Sequence, residues 1–81
     1  MFMESNFLVY PEGETQEIDF RLQFNQIVDI NGRPVSLPLA SHKMIVYKVV
    51  KIQNKEMKGE TAHYYHLELV RGDELFSLAA R

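Results

Sequence analysis

The longest β-forming signal in this chain is KMIVYKVVKIQ at residues 43–53, followed by AHYYHLELV at residues 62–70. Both segments are rich in β-branched and aromatic side chains, which favour strands. The polar residues 54–61 separate them, and Gly59 can adopt the positive φ that a turn requires. The pattern predicts a long β-hairpin with a loop at residues 54–61.

The register of this hairpin can be predicted from the burial of its side chains. Burial favours Lys48 opposite Glu68. The core face then carries Ile45, Tyr47, Val49, Tyr65, Leu67 and Leu69. The other face carries Met44, Val46, Lys48, Val50, Ile52, Tyr64, His66 and Glu68. A β-bulge near Lys48 would exchange the faces beyond it.

Strict alternation predicts a second strand at residues 17–24. Ile18, Phe20, Leu22 and Phe24 alternate there with polar side chains, so all four fall on one face of an extended strand. Residues 7–10 predict another short strand, which Pro11 and Gly13 terminate.

A tighter hairpin is predicted at residues 26–37. Asn31-Gly32 joins two apolar runs, and this dipeptide favours a type I′ turn because both residues tolerate positive φ. Pro34 limits the returning segment to an edge strand or a short arm, because proline donates no ladder hydrogen bond.

The segment 71–81 is compatible with two structures. Asp73 could cap a short helix, whereas Leu75, Phe76 and Leu78 could continue as a strand with a loose tail, which we favour slightly.

The chain is therefore predicted to be one mainly β domain over residues 1–81. Five to six strands would form a small antiparallel β-barrel or strongly curved sheet, SH3-like or OB-like, with little helix. The alternative is a flatter meander that pairs with a second copy.

Composition limits the classes of function. The chain has no cysteine, a hydrophobic fraction of 46% and a charged fraction of 25%, which is typical of a globular protein without disulfides. The sequence has neither an apolar run long enough to span a membrane nor the features of a secretory signal, so we expect a cytoplasmic protein without a membrane partner. Residues 1–40 carry a net charge of −4 and residues 41–81 a net charge of +2.

Signals for catalysis are weak. The four glycines are isolated at predicted turns, and no serine lies in a nucleophile motif. His63 and His66 point to opposite faces of a strand, and His42 belongs to another segment. We therefore predict no catalytic residue, no cofactor and no metal site.

Two binding functions are consistent with the long hairpin. The surplus of apolar side chains on its second face predicts a protein-interaction or assembly module, a homo-oligomer or a binder of another protein, that uses Val46, Val50, Ile52 and Tyr64. The alternative is binding of single-stranded nucleic acid through Lys48, Lys51, Tyr64 and His66, since such proteins combine stacking aromatics with cations. Glu56, Glu60 and Glu68 weaken this alternative by diluting the positive charge.

Overall fold

A computed structural model describes residues 3–39 and 43–79. Its elements are β1 (Met3–Val9), β2 (Thr15–Ile18), β3 (Ile27–Val28), β4 (Tyr47–Met57), β5 (Glu60–Leu69) and α1 (Gly72–Ala79). The strands form one sheet in the order β2-β1-β5-β4-β3. The predicted mainly β, strongly curved sheet with little helix is confirmed, and it curves into a half-barrel. The expectation that all strands are antiparallel is wrong, because β1 runs parallel to β5.

The long hairpin is confirmed and extends further than predicted. Residues 54–57 and 60–61 continue the two strands, so that Met57 pairs with Glu60 across a turn of Lys58 and Gly59. Gly59 has the expected positive φ, at +69°. The predicted loop at 54–61 is therefore wrong. The β4 side chains in this part are polar and exposed on both faces, but their backbone groups still pair with those of β5, and this pairing extends the hairpin.

The predicted pairing of Lys48 with Glu68 is confirmed, but a β-bulge follows it. Val49 pairs with Leu67, whereas the next pair is Lys51 with His66, so Val50 is the extra residue. Beyond the bulge each β4 side chain lies on the face opposite to the one predicted from Lys48. Ile52, for example, pairs with Tyr65 and not with Tyr64.

The main core covers what we call the inner face of the sheet. Its buried side chains are Leu8, Tyr10, Ile18, Leu22, Val28, Val49, Tyr65 and Leu67. The strand predicted at 17–24 ends at Ile18, and the chain then leaves the sheet edge to fold over this core. Leu22 is buried as the alternation predicts, but Phe24 is 61% exposed because the chain turns at Asn25, whose φ is +68°.

The Asn31-Gly32 turn exists with a geometry different from the predicted one. Asp29 and Arg33 are joined by a backbone hydrogen bond of 2.8 Å, and the Asp29 carboxylate accepts hydrogen bonds from the Asn31 and Arg33 amides. Gly32 has a φ of +81°, whereas Asn31 does not adopt a positive φ, so the type I′ prediction is wrong. The returning segment makes only an isolated bridge between Val28 and Pro34, as expected for a proline arm.

A second core lies under α1 on the other face of the sheet. The strand favoured for the C-terminal segment is wrong: Gly72–Ala79 is a helix, with Asp73 and Glu74 in its first turn, where acidic residues stabilise the helix dipole. Leu75, Leu78 and Ala79 pack against the buried side chains Ile27, Leu39, Val46 and Val70.

This helix is too short to cross a membrane, and no other described segment forms a helix that could do so.

The second core also corrects one predicted core residue. Ile45 precedes β4 and is 55% exposed, whereas its neighbour Val46 is fully buried.

Candidate functional site

Among residues 3–39 and 43–79, α1 covers the face of the sheet opposite the inner face at one end only. We call its uncovered part the open face. The registers place side chains of four strands on it, since partners in a ladder share a face. They are Met3, Ser5, Phe7 and Val9 of β1, Thr15 and Glu17 of β2, Lys51, Gln53, Lys55 and Met57 of β4, and Glu60, Ala62, Tyr64 and His66 of β5.

Two stacked aromatic rings occupy the middle of the open face. Phe7 and Tyr64 are partners across the parallel β1–β5 pair, with ring centroids 5.2 Å apart and planes 17° apart. Lys55 Nζ lies 5.3 Å from the Tyr64 ring centroid, which is a cation–π distance. Both rings are half-buried, so they offer a preformed apolar surface that loses little side-chain entropy on binding.

Polar and charged side chains surround these rings. On β4, Gln53 Oε1 lies 3.3 Å from His66 Nε2, while Lys48 Nζ contacts Glu74 at 2.5 Å and links the strand to α1. Lys51 makes no ion pair with any residue of 3–39 and 43–79. Because glutamates lie beside the lysines, the surround is mixed in charge.

The structure does not bring the four predicted partner-binding residues together. Val46 is fully buried beneath α1, and Val50 is the bulged residue of β4. The bulge puts Ile52 on the inner-face side, beside Tyr65, where it remains 37% exposed. Of the four, only Tyr64 belongs to the open face.

The residues predicted for nucleic-acid binding are brought together by the same bulge. Because Lys51 pairs with His66, it lies on the same face as His66 and Tyr64. Lys48 pairs with Glu68 on that face too, at the rim where α1 begins to cover the sheet. An unbulged strand would have placed Lys51 on the inner face.

Sequence reasoning missed Phe7, Met3 and Met57. Met3 and Met57 are 59% and 64% exposed, and both lie beside Glu60 at the far end of the open face. The strand predicted at residues 7–10 is confirmed as the end of β1, but β1 begins at Met3, and the alternation of Met3, Ser5, Phe7 and Val9 with the inward Leu8 could have revealed the longer strand. Its neighbour in the sheet was not predictable, because β1 and β5 are distant in the sequence.

A polar cluster on the inner-face side joins β1 to the hairpin. Asn54 Oδ1 lies 2.6 Å from His63 Nδ1, and Glu4 Oε2 lies 3.3 Å from His63 Nε2. Nε2 is buried without a well-aligned hydrogen bond, so we treat its contact with Glu4 as electrostatic. The Arg21 guanidinium donates to the Glu4 carboxylate and, with His63, lowers the pKa of Glu4 below its ordinary value.

The lowered pKa of Glu4 predicts an acid-sensitive contribution to stability. The folded state favours the ionised carboxylate, so this contribution is complete above the ordinary glutamate pKa of about 4.3 and is lost as pH falls through the lowered value. We expect Glu4→Gln to lower the melting temperature at neutral pH and the difference from wild type to shrink on acidification. Thermal melts from pH 7 downward measure this.

The matched control for this prediction is Glu17→Gln, which removes one carboxylate from the adjacent strand β2. Glu17 makes no ion pair with a described residue. A Glu4→Gln difference that persists unchanged in acid would contradict the prediction.

Other concave and titratable regions add little chemistry. A groove of about 620 Å³ beside β2 is lined by residues 16–20, Asn31 and Arg33, and it contains carboxylates and a guanidinium but no nucleophile paired with a base. Among residues 3–39 and 43–79, no group of three or more histidine, aspartate or glutamate side chains could hold a metal ion. His63 and His66 lie on opposite faces, as predicted, and His42 lies outside the described residues.

Comparison with known proteins identifies a family but no function. No curated protein and no solved structure matches this chain. One family matches residues 2–78, which is nearly the whole sequence and includes every strand of the sheet. The chain therefore belongs to the family described as "Uncharacterised Treponema protein".

Proposed function

We propose that this protein is a small, non-catalytic protein-interaction or assembly module of the cytoplasm, and that the open face is its binding surface. The observation that carries the proposal is the Phe7–Tyr64 ring stack on a sheet face that α1 leaves uncovered. Aromatic residues in the centre of a patch are the most frequent energetic anchors of protein interfaces.

The surroundings of the stack support a protein partner. The exposed Met3 and Met57 extend the apolar surface, and methionine adapts to the shape of a partner. Charged side chains lie around the rings and not among them, which is the usual arrangement of an apolar centre with a polar rim. The partner can be a second copy of this chain, and self-association through the open face can be tested directly with the purified protein.

Single-stranded nucleic acid is the second candidate. It is favoured by the placement of Lys48, Lys51, Tyr64 and His66 on the same face of the sheet as the ring stack. It ranks second because Glu17 lies beside Phe7 and Glu68 beside Lys48, and the whole chain has a net charge of −2. Phosphate binding normally requires a clear excess of positive charge.

The open-face prediction is tested by substituting Tyr64. We expect the solution mass of wild type, measured by light scattering, to rise with concentration and Tyr64→Ser to weaken that association about tenfold or more, as loss of an interface anchor does. Phe24→Ser is the matched control, because Phe24 is a 61% exposed aromatic outside the strands that form the open face. Circular dichroism checks that both variants fold.

Two results would count against the proposal. Equal weakening by Phe24→Ser and Tyr64→Ser would show that association does not depend on the open face. A wild-type chain that stays monomeric, gains mass with a short mixed oligonucleotide and loses it in moderate salt would put nucleic-acid binding first, because phosphate contacts are strongly salt-dependent.

A further inference from the structure

The sheet has two edges on which backbone groups lack a strand partner. On β4, Val49 is the last residue whose outer side is covered: its amide donates to Gln26 O, and its carbonyl accepts from Asn25 N. Within the described residues no strand pairs with the outer side of Lys51–Met57, which we call the β4 edge. The other edge is the outer side of β2, which we call the β2 edge.

The two edges carry opposite charge. The β4 edge and its turn hold Lys51, Lys55 and Lys58 against Glu56. The β2 edge and its flanks, residues 12–19, hold Glu12, Glu14, Glu17 and Asp19 and no basic residue. Thr15, Gln16 and Glu17 are all exposed. The charge difference between the two halves of the sequence is therefore a difference between the two edges of one sheet.

We propose that the β4 edge of one molecule pairs with the β2 edge of a second copy. The strand directions permit it: β2 is antiparallel to β1, β1 is parallel to β5, and β5 is antiparallel to β4. Hence β2 and β4 run in the same direction. A second copy in the same orientation, placed beside the first in the direction across the strands, therefore brings its β2 parallel to β4. The open faces of the two copies then lie on the same side. This inference goes beyond the proposed function, because it uses the backbone edges of the sheet and not the Phe7–Tyr64 ring stack.

The side chains define one favourable register. Lys55 and Glu17 both belong to the open face, so they can lie side by side across the new pair. That register places Gln16 of the second copy beside Asn54 and Thr15 of the second copy beside Gln53. Placing Glu17 beside Lys51 instead would bring Thr15 of the second copy to Val49, where Gln26 already occupies the edge.

Such a contact is head-to-tail, so a chain of copies always ends in one free β4 edge and one free β2 edge, to which further copies can add. The assembly therefore has no fixed size, and its mass keeps rising with concentration. A pairing across four β2 residues is short, and oppositely charged neighbours on a sheet contribute modestly and are screened by salt. We therefore expect weak association that is strongest at low salt.

Charge reversal with complementation tests this proposal by analytical ultracentrifugation at low salt, up to about 1 mM protein. Lys55→Glu and Glu17→Lys should each weaken association about tenfold. Mixing the two variants should restore association, because Lys55 of the Glu17→Lys variant then faces Glu17 of the Lys55→Glu variant, and the two substituted side chains, again of opposite charge, face each other at the other contact. The mixture should then extend as an alternating assembly, and the double variant should also regain open-ended growth.

Lys58→Glu is the matched control, because it makes the same change of charge at the turn beyond the paired residues. Lys55 also contacts the Tyr64 ring, and loss of that contact alone could not be restored by a change at Glu17. Wild type that remains monomeric to about 1 mM, growth that stops at a dimer, or failure of the mixture to associate would each overturn the proposal. If Tyr64→Ser abolishes association while both charge variants retain it, the edge contact is wrong and the open-face function stands.

Discussion

Val46→Asp is expected to unfold the protein. Val46 is fully buried in the second core, between the sheet and α1, where Val70 and Leu78 also pack. An uncompensated charge in such a place costs about 3–5 kcal/mol, which is as much as the whole core of a domain of this size usually supplies. Circular dichroism and a thermal melt should show loss of the cooperative transition.

Ile45→Asp is the matched control, one residue earlier with the same chemical change. Ile45 is 55% exposed, so the aspartate remains in water and the free energy of unfolding should change by no more than about 0.5 kcal/mol. Alternation alone predicts the reverse, with Ile45 in the core and Val46 on a partner surface. A folded Val46→Asp protein together with an unfolded Ile45→Asp protein would contradict the second core described above.

The exchange of Ile45 and Val46 shows where sequence periodicity stops being informative. Alternation correctly predicts the paired part of the hairpin, including Lys48 opposite Glu68 and the burial of Val49, Tyr65 and Leu67. It assigns Val50 and Ile52 to the wrong face when it is extended through the hairpin from Lys48, although the apolar pair Val49-Val50 marks the point where the alternation shifts by one residue. The bulge then moves every later β4 side chain to the other face, which alters the candidate site more than the fold.

The composition of the open face depends on a contact that local sequence does not encode. Phe7 stacks on Tyr64 only because β1 lies parallel to β5, and such non-local neighbours are set by the packing of the whole chain. The helix at Gly72–Ala79 was also open to two interpretations, because its apolar residues suit a strand as well. Packing against Val46 and Val70 favours the helix.

Gly32→Ala is the second substitution with a large expected effect. Gly32 has a φ of +81°, and a methyl group there would lie 2.1 Å from Leu8 Cδ1. The positive φ costs about 1–2 kcal/mol for a residue with a Cβ, and overpacking of a core costs about 1–3 kcal/mol more. Leu8 is fully buried and cannot move aside into solvent, so we expect a loss of about 2–5 kcal/mol in denaturant unfolding.

Two further variants separate the backbone cost from the collision. Gly72→Ala introduces a methyl group at a φ of +56° with no atom within 4 Å, so it should show the backbone cost alone, about 1–2 kcal/mol. Leu8→Val removes the Cδ1 atom that the new methyl group would meet, so Gly32→Ala should cost less in that background than in wild type. A double-mutant cycle measures this difference, and equal costs in the two backgrounds would show that the loop carrying Gly32 does not rest on Leu8. Because that loop covers the main core, the same cycle also tests whether the loop shields the inner face of the sheet from solvent. If it does, the opposite face is the one available for binding.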